Sequence, residues 1–239
     1  MAERSALVTG ASRGIGLAIA EVLAEDGYGL TLTARKPDTL AETAAALSAK
    51  GYEVQYLAAD MADEEGLKAV VELHDKTYGR LDVLVNNAGV GIGAPAGEQK
   101  TKFIDMQMDV NVRSIIFLYR ECLEMLRTAG KDGGALVVNL ASIAGKAPQP
   151  WLSVYSATKA AAIAYTVAMN KELNGEGIKS LALCPGFVDT DMTEFVKSTV
   201  PAEEMLKTSD IAAAVRFVLS LSPAAVIPEI VFQRPGETL

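Results

Sequence analysis

Seven short apolar runs, rich in β-branched residues, alternate with six longer stretches of helical periodicity along this chain. That alternation leaves few folds open. The runs are Ala6–Thr9, Gly29–Thr33, Val54–Ala58, Leu81–Asn86, Ala135–Leu140, Lys179–Leu183 and Val226–Phe232. Helical patterns lie near 15–26, 38–50, 63–78, 101–128, 153–174 and 209–221. Strand–helix–strand units of this kind build a parallel sheet. Runs such as Leu-Asp-Val-Leu-Val and Ala-Leu-Val-Val-Asn-Leu are apolar almost throughout, as strands covered on both faces are. The expected architecture is a doubly wound α/β sheet of about seven strands, with helices on both faces. A chain of 239 residues fits one domain, 1–239, with a full core. The stretch 187–208, with Pro201, is the least regular internal part and is expected to be a substrate flap or a connection.

Charge and cysteine usage exclude several function classes. The formal net charge is −8 and no basic run is present, so nucleic acid is a poor partner. Cys122 and Cys184 are far apart and belong to no Cys/His pair, so no metal site is expected. Two reduced thiols are the expectation. No apolar stretch reaches the roughly 18 residues of a membrane span, and the opening Met1-Ala-Glu-Arg-Ser shows no leader pattern. A cytoplasmic location is expected.

Two clusters of residues carry chemistry. The first follows the first strand: Gly10-Ala-Ser12-Arg13-Gly14-Ile15-Gly16, leading straight into a helix. Glycines let a backbone turn tightly and approach a pyrophosphate, and the helix amino end presents free N–H groups to an anion. A site for NAD places a carboxylate about 20 residues further on. Here Ala34 and Arg35 stand there instead, and a cation suits the 2′-phosphate of NADP, with Arg13 able to help. Asp60, before Met61, either accepts from an adenine amino group or caps the next helix. Asn86-Asn87-Ala88-Gly89, closing the fourth run, either paves the crevice or is a plain turn.

The second cluster is Tyr155-Ser-Ala-Thr-Lys159. Residues four apart share a helix face, which sets the Lys159 ammonium near the Tyr155 phenol. A phenol titrates near 10, and a neighbouring cation in a dry site favours its ionised form. Ser142, just past the fifth run, can donate to a substrate oxygen beside Tyr155. Asn111, inside a long helical pattern, needs a partner: either a water wire behind Lys159 or a satisfied helix-bending contact. Pro185-Gly186 turns the chain after the sixth run, with Val188 and Thr190 following. His74, among Glu72, Asp75 and Lys76, is expected on a solvated face. Trp151 either packs or walls the substrate site, and Met192, Phe195 and Val196 are candidate apolar walls on the flap.

Taken together these motifs resemble the short-chain dehydrogenase/reductase family, in order and spacing through about residue 221. The resemblance implies a Rossmann-type domain and an NADP(H)-dependent oxidoreductase that interconverts a carbonyl and a secondary alcohol. It implies Tyr155 as general acid/base, Ser142 holding the substrate oxygen, Lys159 binding the ribose and lowering the Tyr155 pKa, and Asn111 completing a proton relay. Gly10, Ser12, Arg13, Gly14, Ile15, Gly16, Arg35, Asp60, Met61, Asn87, Ala88, Gly89, Tyr155, Lys159, Pro185, Gly186, Val188 and Thr190 would hold the cofactor. Within the family the chain is most similar to 3-oxoacyl-(acyl-carrier-protein) reductases. It departs at Ala225–Gln233, where those enzymes end in a Val-Asp-Gly-Gly tail. Serine-dehydrogenase-like and general carbonyl reductases stay as alternatives, as does a non-catalytic NADP-binding protein. A homodimer or homotetramer is implied.

Overall fold

Every strand points the same way in the computed structural model, which describes residues 2–236; the ends of the expected 1–239 domain lie outside the described residues. The strands are β1 (Arg4–Thr9), β2 (Tyr28–Thr33), β3 (Val54–Tyr56), β4 (Val83–Asn86), β5 (Ala135–Leu140), β6 (Ile178–Pro185) and β7 (Glu229–Phe232). They form one seven-stranded parallel sheet in the order β3-β2-β1-β4-β5-β6-β7. The helices are α1 (Gly14–Glu25), α2 (Pro37–Ala49), α3 (Glu64–Tyr78), α4 (Thr101–Met108), α5 (Ser114–Glu121), α6 (Leu123–Lys131), α7 (Ser153–Leu173) and α8 (Thr208–Leu219).

Side chains alternate across each strand, which divides the core in two. Ala6, Val8, Val83, Val85, Leu136 and Val138 pack with Ile19 and Leu23 of α1, Leu40 of α2 and Ile211 and Val215 of α8. Leu7, Leu84 and Val137, one residue over, pack with Leu67 and Val70 of α3, Phe117 of α5 and Leu126 of α6. With both faces covered, the inner strands can be apolar throughout, as the sequence pattern requires.

Most element ends fall within two residues of expectation. β7 starts at Glu229 rather than Val226, because Pro228 has no N–H and can enter the ladder only through its carbonyl, which accepts from Ala182 N at 2.9 Å. The stretch 101–128 is not one helix. A π-turn at Asp109–Arg113 separates α4 from α5, and the chain breaks again at Cys122 before α6. The expectation for His74 is also overturned. It lies with Leu67, Val70 and Val71 on the inward stripe of α3, fully buried, with Nδ1 hydrogen-bonded to Thr31 Oγ1 at 2.7 Å and Nε2 to Ser5 Oγ at 3.2 Å. Both cysteines are free and buried.

The crossover leaves β1 beside β4, so the chain leaves their carboxyl ends in opposite directions. In open α/β sheets ligands bind in the crevice that this reversal opens.

Candidate active site

The crevice is walled on one side by the turn after β1. Gly10 and Gly14 adopt φ of +63° and +59°, in the left-handed region. At Gly16 a side chain would strike the Gly10 carbonyl oxygen at 2.5 Å and the Asn87 amide nitrogen. The bare backbone is therefore required where α1 begins. Arg13 precedes α1 in extended conformation and no side chain caps the helix, so its first N–H groups stay open to a ligand.

The far wall is tied to this turn through Thr9, whose hydroxyl accepts from both Asn87 N and Ala88 N at 3.0 Å. The Asn87 side-chain amide donates to Thr9 O at 2.9 Å and Gly10 O at 3.1 Å. Thr9, which opens the glycine motif, is a positioning residue, a role its place at the end of the strand did not reveal.

At the adjoining strand ends the second cluster assembles. Ser142 follows β5, its Oγ accepting from Ala144 N at 3.1 Å and lying 3.5 Å from Pro185 O. Tyr155 sits in the first turn of α7, its phenol near the Ser142 hydroxyl. Burial raises the Tyr155 pKa above that of a free phenol, and the Ser142 contact opposes the rise. One turn on, Lys159 is buried, with Nζ 5.7 Å from the Tyr155 ring centroid. Its ammonium donates to Leu140 O at 2.6 Å, and burial pulls its pKa down to about 8. Tyr155 and Lys159 therefore share a site, with the lysine ammonium turned to the end of β5.

Asn111 lies in the π-turn, fully buried. It accepts from Val90 N at 2.8 Å and donates to Val90 O at 2.8 Å and Thr158 Oγ1 at 3.0 Å. A methyl group built on Gly89 would touch both Asn111 Oδ1 and Lys159 Nζ at 3.4 Å, so the amide and the ammonium face each other across that glycine. The hydrogen bonds of Asn111 are filled, and it stands next to Lys159.

The remaining cofactor candidates ring the same opening. Arg35 is exposed at the end of β2. Asp60 is exposed, its carboxylate accepting from Ala62 N at 3.0 Å, while Asp63 caps α3 by accepting from Glu65 N at 3.2 Å. Met61 is buried. Pro185 and Val188 are buried and carry the chain over Ser142 into the flap, built of short turns at Asp191–Val196 and Ala202–Glu204. Arg13 pairs with Asp191 of the flap at 2.5 Å, and a methyl group on Gly14 would meet Thr190 at 3.4 Å, so the flap rests on the glycine turn. Among the described residues no cluster of three metal-ligating side chains exists, and no helix is long and apolar enough to cross a membrane.

A crevice that joins a glycine-lined helix end to a buried Tyr/Lys/Ser set calls for comparison with known enzymes. The profile of short chain dehydrogenases matches residues 4–201. The chain belongs to the short chain dehydrogenase family. A granaticin polyketide synthase putative ketoacyl reductase from Streptomyces violaceoruber is 35% identical over 241 residues, covering 92% of this chain and 88% of the relative. A 3-oxoacyl-[acyl-carrier-protein] reductase from Staphylococcus aureus is 34% identical over 227 residues, covering 91% of each. An alcohol dehydrogenase from the archaeon Thermococcus sibiricus, solved with 5-hydroxy-NADP, superposes with a TM-score of 0.87 at 32% identity, covering 98% of this chain and 99% of its own. An actinorhodin polyketide ketoreductase solved with NADPH gives 0.87 at 29% identity, covering 96% and 94%. As a short chain dehydrogenase, the protein is an oxidoreductase acting on a carbonyl/alcohol pair, with the Rossmann-type sheet the resemblance implied.

Proposed function

We propose that this short chain dehydrogenase uses NADP(H) to interconvert a ketone and a secondary alcohol, with 3-oxoacyl thioesters or esters among its substrates. The observation that carries the reading is the meeting of Tyr155, Ser142 and Lys159 beside Gly89 and Gly91, in the loop after β4.

The residues around the crevice fit the dinucleotide. Gly10 and Gly16 let the turn close tightly against Asn87, and the uncapped start of α1 supplies donors to a pyrophosphate. Ala34-Arg35, just past β2, sets a cation where an NAD site needs a carboxylate, which favours a 2′-phosphate. Asn87, Ala88, Gly89, Pro185, Gly186, Val188 and Thr190 would flank the nicotinamide half. When bound, the reduced cofactor supplies a hydride to the carbonyl carbon.

The chain's own side chains handle the proton. Ser142 Oγ donates to the substrate oxygen and holds it within reach of Tyr155. A phenol kept above its ordinary pKa stays protonated at neutral pH, the form required to protonate the developing alkoxide. Lys159, held between Leu140 O and the Tyr155 ring, would bind the ribose and restore the tyrosine proton, with Asn111 next in line across Gly89. Self-association and a cytoplasmic location complete the proposal, supported by exposed Met106, Met108 and Ile116 on α4 and α5 and by two free thiols.

The test is Tyr155→Phe, followed by NADPH absorbance with a panel of ketones and 3-oxoacyl esters. Turnover should fall about 100-fold or more, the usual contribution of a positioned acid, while NADPH binding followed by its fluorescence is unchanged. Turnover within a few-fold of wild type would remove Tyr155 from the chemistry.

A further inference from the structure

Trp151 is the one non-glycine residue with positive φ, +58°, among the described residues. A bulky side chain takes that conformation only where its surroundings dictate it, and such residues gather at functional sites. Three chain segments hold it. Its carbonyl accepts from Ala94 N at 2.8 Å, and Leu152 N donates to Gln149 O at 3.2 Å. Its indole lies on Gly93 so closely that a methyl group there would overlap ring atoms Cε3 and Cζ3. From the flap, Phe195 meets the indole edge-to-face, with ring centroids 6.1 Å apart.

This assembly stands beside the reacting groups. Gly91, two residues before the indole's support, is where a methyl group would touch the Tyr155 ring at 3.4 Å. Two residues of chain span at most about 7 Å, so phenol and indole flank one short loop. Trp151 also precedes Tyr155 by four residues at the mouth of α7. Met192 and Phe195, three apart in a 3₁₀ turn, share one side of it. Trp151, Met192 and Phe195 are 50%, 50% and 61% exposed, so the flap and the loop before α7 bring three large apolar side chains to the same opening.

We infer that Trp151, fixed between Gly93 and Phe195, is a rigid wall that limits the size of one substituent on the substrate carbonyl. This rests on the reading of the site as a ketone reductase. A carbonyl oxygen held by Ser142 and Tyr155 sends one of its carbon substituents along the Gly91–Gly93 loop, toward the indole. A side chain locked in a strained backbone conformation and packed by two neighbours cannot swing away to admit a larger group.

The experiment compares kcat/KM for two 3-oxoesters that differ only in that substituent, ethyl acetoacetate with a methyl group and ethyl benzoylacetate with a phenyl. Trp151→Ala should raise the benzoylacetate/acetoacetate ratio at least 10-fold over wild type. Gly93→Ala, which leaves the tryptophan in the chain but displaces it, should move the ratio the same way. An unchanged or falling ratio in the active variants overturns the inference alone. A wild-type enzyme that reduces neither ester overturns the inference together with the ketone-reductase reading. A readout without turnover accompanies it: Trp151 is the chain's one tryptophan, so Phe195→Ala should shift its emission to longer wavelength. Identical emission would show that the flap does not cover the indole.

Discussion

Lys159 and His74 are both buried bases, and burial acts on them with the same sign and different consequences. Lys159, lowered to about 8, is still charged at neutral pH and stays available to the crevice. His74 is lowered to about 4, is neutral, and is spent on structure: its ring nitrogens join Thr31 of β2 to Ser5 of β1 and Arg80 O. Above pH 6.5 the imidazole is uncharged folded and unfolded, and contributes no pH dependence. Below it the unfolded chain takes up a proton that the folded chain refuses until about pH 4. Stability should therefore fall with pH across that window, by about 3 kcal/mol from this group. Urea unfolding at pH 7 and pH 4.5 should show a steeper loss in wild type than in His74→Gln; equal slopes would remove His74 as the cause. The inward stripe Leu67, Val70, Val71 and His74 was present in the sequence at helical spacing. The charged neighbours Glu72, Asp75 and Lys76 misdirected the expectation, because they occupy the other face of the same helix. Arg35 is exposed just past β2, as its place after an apolar run led one to expect. Arg35→Asp should shift the NADPH/NADH ratio of kcat/KM at least 10-fold toward NADH, and an unchanged ratio would remove Arg35 from cofactor recognition.

Among elements, the π-turn between α4 and α5 is the part that periodicity could not show. One extra residue in a turn rotates the downstream face without erasing its apolar spacing, so 101–128 read as a single helix. The signal lay instead in Asn111, a polar residue in an apolar stretch. Its amide closes on the Val90 backbone in both directions and on Thr158, fixing the loop after β4 to α7. Asn111→Leu leaves buried donors and acceptors unpaired and should cost about 2–4 kcal/mol in chemical denaturation. Turnover should fall further than folding alone explains, because the loop carrying Gly89 and Gly91 loses its anchor beside Lys159 and Tyr155. A variant as stable as wild type would contradict the anchoring. The strands, by contrast, were legible nearly to the residue, since near-continuous apolar runs allow one interpretation in a chain of this pattern.

For the whole molecule, the candidate site gathers residues 10 to 190 at the carboxyl ends of the strands, most of them just past a strand, with Asn111, Tyr155 and Lys159 brought in on helical segments. What the sequence withheld was how the pieces lean on each other: Thr9 holding Asn87 and Ala88, Arg13 reaching Asp191, and the Trp151 backbone turned left-handed. The proposed self-association is tested at this scale. Met106, Met108 and Ile116 leave apolar surface exposed on α4 and α5. Light scattering after size exclusion should give a particle of at least twice the 25.2 kDa chain mass, and Ile116→Asp should shift it toward one chain. A wild-type particle of one chain mass would refute self-association.

A sheet whose strands all run in parallel has two unlike rims. The carboxyl rim holds the candidate site. The opposite rim holds the turns at Gly27, Gly51 and Gly133, each open to solvent, with no atom within 4 Å of where a side chain would begin. A six-residue strand such as β1, about 20 Å long, separates the two. Tethers, labels or inserted peptides grafted onto that quiet rim would hang clear of the chemistry, which makes it the natural handle for immobilising or fusing this enzyme.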